Sequence, residues 1–201
     1  MPIQSVSRAI LALFATFALA ACGINSVPTA EERAKEAWGN VEAAYQARAN
    51  LIPNLTEVAA GAAENERGIL TDVIEARSRA TSINLDASDL RDADQLAEYA
   101  AVQGQLSQGL GRLLANVEAY PQLQSNQNFV MLQGQLEGIE NKIRVAINDY
   151  NAAVRDYNTT IRTFPDTIGA NIIHGAEPME PYSAVSENAD VAERIDLTDG
   201  N

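Results

Sequence analysis

The sequence predicts an all-α protein, an antiparallel (up-and-down) helical bundle of four helices with a kink or turn at Pro53. Aromatic residues make up only 5% of the chain, and Val and Ile do not gather in short alternating runs, which disfavours sheet. Apolar or small residues instead recur three and four positions apart over many turns, the pattern of helices packed side by side. The stripes are interrupted at a few places rich in turn-forming residues, so the helices are few and long.

Residues 1–21 stand apart from the bundle. Met1 to Arg8 is short and polar with one positive charge, and Ala9 to Ala21 is an uncharged, mostly apolar run of thirteen. A membrane-spanning helix needs about 20 apolar residues, so this run fits the hydrophobic part of a secretory signal. It ends in Leu19-Ala20-Ala21-Cys22, the pattern of a bacterial lipobox, and Cys22 is the one cysteine of the chain. The expectation is cleavage before Cys22 and lipid on its thiol. Ordinary cleavage after Ala20, leaving a free thiol, is the alternative. Several acyl chains would hold the protein to the membrane where one holds only marginally. Gly23 follows where an aspartate would favour retention in the inner membrane. The implied location is the bacterial envelope, facing the periplasm, with the outer membrane preferred.

Residues 22–29 read as a tether. Thr29 with Glu32 forms a capping-box pattern, so the bundle is expected over 30–176. Its first stripe is Ala34, Trp38, Val41, Tyr45, Ile52, Leu55, Ala59, Ala62, Ile69, Val73, Ala76 and Ala80. One helix over 30–83 would be about 80 Å long, against about 45 and 58 Å for the later segments. Placing Pro53 in the first turn of a new helix gives four segments of compatible length. Leu85 to Asp89 is turn-like, and Asp89 is positioned to cap the next helix, whose stripe is Leu96, Tyr99, Leu106, Leu110, Leu113, Val117 and Tyr120. Pro121 closes it. The last stripe runs from Phe129 through Leu132, Leu136, Ile139, Ile143, Ala146, Tyr150, Ala153 and Tyr157 to Phe164. Residues 177–201 carry seven acids, one Arg and two prolines, and read as a solvated, disordered tail.

Charge and composition exclude several functions. The chain has a net charge of −13, and without residues 1–21, whose one charge is Arg8, it has 13 basic and 27 acidic residues, a net −14. Such a chain repels phosphate backbones, so no nucleic-acid partner is expected. A single Cys and a single His, His174, leave no means of building a thiolate metal cluster or a disulfide. Glu118, Glu137 and Glu140 are acids expected on helix surfaces of so acidic a protein, and no Glu-x-x-His pair suggests a di-metal bundle. No catalytic residue, metal or cofactor is expected.

The Asn and Gln residues beside the stripes are the remaining candidates: Asn54, Gln103, Asn126, Asn128, Gln133, Asn141, Asn151 and Asn158. Asn126 and Asn128 fit helix capping. Tyr150-Asn151 and Tyr157-Asn158 are seven apart and share one face. Asn141, Asn151 and Asn158 could form a polar recognition strip, but fixing the bundle by hydrogen bonds is the stronger expectation. Arg48, at a seam, is expected to cap a helix end or pair with an acid.

Several phrases resemble the LemA family: Leu51-Ile52-Pro53-Asn54-Leu55 preceded by Tyr45 and Arg48, then Glu75-Ala76-Arg77. They continue with Ala119-Tyr120-Pro121-Gln122-Leu123, Asn126-Gln127-Asn128-Phe129, Glu140-Asn141-Lys142-Ile143, Tyr150-Asn151, Tyr157-Asn158 and Phe164-Pro165. The likeness covers residues 30–182. It departs at Asn65-Glu66, where many members carry His-Glu, at the lipobox, which replaces an amino-terminal transmembrane helix, and at Ile172-Ile173-His174-Gly175, which replaces a Phe-Gly-Phe-like ending. The resemblance implies an antiparallel bundle facing the periplasm, with no established catalytic activity. Three roles follow as expectations: a scaffold or adaptor for an envelope protein, a membrane-organising protein working by self-association, and a small-ligand module loosened by Gly104, Gly109 and Gly111.

Overall fold

The computed structural model describes residues 2–61, 67–117, 120, 123 and 125–184, with side chains from Asn25 onward apart from Arg67 and Val117. Among the described residues it is all-helical: α1 (Pro2–Ala60), α2 (Arg67–Ala80), α3 (Ala93–Val117), α4 (Gln127–Thr160) and the single turn α5 (Asp166–Gly169). A 3-10 turn (Asp89–Arg91) precedes α3 and a π-helical turn (Ala170–His174) follows α5.

Helices α1 and α4 form the antiparallel backbone of the bundle. Val27, Ala30, Ala34, Trp38, Val41 and Tyr45 of α1 share one apolar cluster with Ile143, Ala146, Tyr150, Val154 and Tyr157 of α4. Further along, Ile52, Leu55 and Ala59 share a second cluster with Phe129, Leu132 and Leu136. Rising α1 numbers thus meet falling α4 numbers. The 34 residues of α4 extend about 51 Å at 1.5 Å per residue, the reach of α1 from Val27 to Ala60. Helix α3 lines both clusters, through Leu96, Tyr99 and Ala100 in the first and Leu106, Leu110 and Leu113 in the second. Gly109 of α3 faces Val73 of α2, where a Cβ would stand at van der Waals contact, 3.4 Å from Val73 Cγ2.

Helix α2, with 14 residues, walls only the second cluster. Over the first, its place is taken by irregular chain. Leu85 and Leu90 come from the connection to α3, and Met179 and Tyr182 come from the carboxyl-terminal segment, all of them buried. Residues 177–182 of the expected solvated tail are therefore docked on the bundle, because Met179 and Tyr182 fill the space that α2 is too short to cover, while Ser183 and Ala184 are exposed. Residues 185–201 of that expected tail lie outside the described residues.

Other expectations also change. Pro53 does not separate two helices but lies inside α1. A proline lacks the N–H that would bond the carbonyl four residues back, here that of Ala49. Arg77 Nε of α2 donates to that same Ala49 oxygen at 2.7 Å, and Pro53 itself faces solvent. The tether is likewise absent as such: residues 22–29 belong to α1, with Val27 fully buried. Thr29 does not cap. Its hydroxyl donates to Asn25 O one turn back, because Val27 and Ala30 still have a groove to fill and the helix continues over it. The cap of α3 is Asp92, not Asp89: Asp92 Oδ1 accepts from Asp94 N (2.9 Å) and Gln95 N (3.2 Å), while Asp89 Oδ2 accepts from Asp86 N within the preceding turn. Asn126 caps α4 as its position suggests, accepting from the amides of Asn128 and Phe129. The last stripe ends at Ile161, buried at the end of α4, and Phe164 is 73% exposed.

Candidate functional site: two inward polar devices

The first device is a polar layer between the two apolar clusters. Arg48, 1% exposed, donates through Nη1 to Ser107 Oγ (2.7 Å) and Glu140 Oε1 (3.2 Å), and through Nη2 to Gln103 Oε1 (2.7 Å) and Gln103 O (3.2 Å). Gln103 Nε2 in turn donates to Ala80 O, the last residue of α2 (3.1 Å). One guanidinium thus ties α1 to α3 and α4 directly, and to the end of α2 through an amide. It also lies over the Tyr45 ring, 4.9 Å from its centroid, a favourable cation–π distance. Only a planar fork with several donors can satisfy this set of acceptors at once. Glu140, half in solvent, keeps the pair from being a fully buried charge.

The second device holds the carboxyl-terminal segment against α4. Asn158 Nδ2 donates to Met179 O (2.8 Å) and its Oδ1 accepts from Met179 N (2.9 Å). One heptad earlier, Asn151 does the same to Tyr182, Nδ2 to the carbonyl (2.9 Å) and Oδ1 from the amide (2.8 Å). The neighbouring tyrosines donate alongside: Tyr157 Oη to Glu177 O and Tyr150 Oη to Glu180 O, both at 2.9 Å. The segment reads Glu177-Pro178-Met179-Glu180-Pro181-Tyr182, a three-residue pattern repeated once. Proline fixes φ and pushes the residue before it to extended geometry. At about 3.1 Å per residue, three extended residues advance about 9 Å. Seven helical residues advance about 10.5 Å. The two repeats therefore stay nearly in step, and each Tyr-Asn pair meets an equivalent Glu-Pro-x unit. The remaining amide, Glu180 N, donates to Leu90 O (2.9 Å), so the segment's interior N–H groups are all satisfied, as buried backbone requires.

Tyr182 also enters an aromatic group. Trp38 stands edge-on to Tyr99, Tyr150 and Tyr182 with centroids 5.1–5.6 Å apart, and Tyr45 and Tyr182 share a hydroxyl–hydroxyl bond of 3.0 Å. Burial pushes the hydroxyls of Tyr99, Tyr150 and Tyr182 well above the ordinary tyrosine value. It also raises Tyr45, although the bond to Tyr182 pulls the other way.

The structure divides the expected recognition strip. Asn151 and Asn158 are brought together but spend their amides on the chain's own backbone. Asn141 is exposed and lies off that face, because ten residues is not a whole number of heptads. Gln103 belongs to the Arg48 layer. Asn54 is exposed, Gln133 donates to the exposed Glu137, Glu118 and Asn65-Glu66 lie outside the described residues, and His174 is exposed at the bundle's end. Among the described residues no three His, Cys, Asp or Glu side chains are grouped so as to hold a metal ion. A polar groove of about 210 Å³ between α2 and α3, bordered by Asp72, Glu75, Arg79 and Arg112, is smaller than the ~300–1,000 Å³ of small-molecule sites. The Glu-Pro-x repeat was the signal that sequence reasoning missed.

A sequence model of the LemA family matches residues 37–196, from the Trp38 turn of α1 through both devices and past the strapped segment. The chain belongs to the LemA family. Tyr45, Arg48, Pro53, Arg77, Glu140, Tyr150-Asn151 and Tyr157-Asn158, which carry the likeness to LemA proteins, are the residues that build the two devices and cover the proline. No curated protein matches the chain as a relative. Among the described residues, no helix of this LemA protein is long and apolar enough to cross a membrane.

Proposed function

We propose that this LemA protein is a lipid-anchored, non-catalytic envelope protein, held by acyl chains on Cys22 on the periplasmic side, that serves as a scaffold or adaptor for a protein partner. The observation that carries the reading is that the polar side chains best suited to a binding site are already used inside the fold. Gln103, Asn151 and Asn158 use both ends of their amides on the chain itself, and both terminal nitrogens of Arg48 do the same, leaving only its buried Nε without a partner. What remains for recognition is the exposed helix faces. The lipobox supports the anchor. The helical backbone from Cys22 into the core supports a stiff connection, in which a bundle about 51 Å long keeps a fixed orientation to the membrane.

Cross-linking in living cells, followed by affinity capture and mass spectrometry, tests this with wild type and Cys22→Ala. A defined partner captured with wild type and lost with the variant supports the scaffold. Capture of only further copies of the same chain replaces it with membrane organisation by self-association.

A further inference from the structure

We propose that the apolar end of the bundle formed by Phe164, Ile168, Ile172 and Ile173 is a second membrane contact, seated in the bilayer surface beside the anchor. This rests on the anchoring read above. Phe164 is 73% exposed, Ile168 42%, Ile172 79% and Ile173 56%. Four large exposed apolar side chains within ten residues make a group of the kind that marks an interaction surface. Its position selects the occupant. Ser26 Oγ donates to Asp166 Oδ1 at 2.6 Å, and Ala170 is buried in the same cluster as Val27 and Ala30. The segment that carries the patch therefore packs beside the Ser26–Ala30 turns of α1. Cys22 is four residues before Ser26, about 6 Å along the helix.

Charge points the same way. Residues 162–176 hold one Arg and one Asp in a chain of net charge −13, so this segment has no net charge for an anionic headgroup layer to repel. Apolar side chains presented in this way enter the boundary of headgroups and acyl chains to a depth of about 5–10 Å. Together with the lipid they give the bundle two fixed points, which sets its tilt.

The test uses the mature protein reconstituted into vesicles of phosphatidylethanolamine and phosphatidylglycerol. A bimane probe is placed on Ile172→Cys or, as reference, on Val145→Cys, which is 51% exposed on the side of α4. The expected result is that the probe at 172 is shielded from aqueous iodide several-fold better than the probe at 145, and is quenched by nitroxide-labelled lipid. Equal iodide access at both positions overturns the proposal. So does shielding at 172 that appears without vesicles and grows with protein concentration, since a second copy would then cover the patch. To keep this apart from the anchor, the same probes go on a Cys22→Ser chain beginning at residue 22, tethered by an amino-terminal histidine tag to nickel-chelating lipid. Among the described residues the first buried side chain is Val27, so the shorter chain keeps every one of those that is buried. Shielding at 172 on the tether supports the patch even if Cys22 proves unacylated, and its absence there overturns the patch even if Cys22 is acylated.

Discussion

Replacing Asn151 and Asn158 by Ala should release the carboxyl-terminal segment from α4 while the bundle stays folded. Six hydrogen bonds join the segment to α4, and at a net of about 1 kcal/mol each they contribute about 6 kcal/mol. Burial of the Met179 and Tyr182 side chains adds about 1.5–3 kcal/mol apiece. Against this, ordering residues 177–182 costs about 1–2 kcal/mol per residue, less at Pro178 and Pro181, whose φ is restricted in the unfolded chain as well. The balance favours the docked segment by a few kcal/mol. Each Asn→Ala change removes two bonds, about 2 kcal/mol, so one variant weakens docking and the double variant brings it near zero. Amide hydrogen exchange reads this directly. Asn151→Ala should lower protection of the Tyr182 amide by about 30-fold, and the double variant should lose protection at Met179, Glu180 and Tyr182 together. Amides of α4 around Ile143 should stay protected. If the double variant keeps wild-type protection across 179–182, the amide clamps are not what holds the segment and the reasoning fails.

Three further expectations use other parts of the fold. Arg77→Met strips the Ala49 carbonyl of its partner and should destabilise the protein by about 1–3 kcal/mol in denaturant unfolding. In a Pro53→Ala background the cost should shrink by about 1 kcal/mol, because the restored N–H can take that carbonyl; purely additive effects would refute the link. Arg48→Met should cost about 3 kcal/mol, near the lower limit for a broken buried pair because Glu140 is half solvated. Arg48→Lys should recover only part of it, since one ammonium cannot reach acceptors on both α3 and α4; full recovery would count against the fork geometry. Finally, Tyr45, Tyr99, Tyr150 and Tyr182 have folded-state values raised above the unfolded one near 10. Their contribution is complete below pH ~10 and is lost as pH rises above it. Unfolding followed against pH should show a decline beginning there, with tyrosinate absorbance rising alongside; a Tyr182→Phe variant should soften it.

Much of the architecture was legible because helices announce themselves by periodicity. The stripes from Ala34 to Tyr45 and from Phe129 to Tyr157 gave the two long antiparallel helices, and Asn126 gave a true cap from its own chemistry. What was not legible depended on distant partners. Pro53 looks like a boundary locally, and only Arg77, 24 positions later, makes continuous helix tolerable. Residues 177–184 have the acids and prolines of a solvated tail, yet a short α2 leaves a gap that Met179 and Tyr182 fill. The Tyr-Asn pairs were visible as a heptad repeat, but their ligand was the chain itself, recognisable only from matching the three-residue Glu-Pro-x repeat to seven helical residues. Phe164 continued a stripe in sequence and left it in space, because α4 ends at Thr160 and the chain turns across the end of the bundle.

The proposed lipid on Cys22, which would fix this LemA bundle to the envelope, is read out by intact-mass and peptide mass spectrometry of the protein isolated from its own membranes. The predicted result is a chain that begins at Cys22 and carries acyl groups on it. A chain that begins at any other residue, or one whose Cys22 thiol reacts freely with an alkylating reagent, would contradict it.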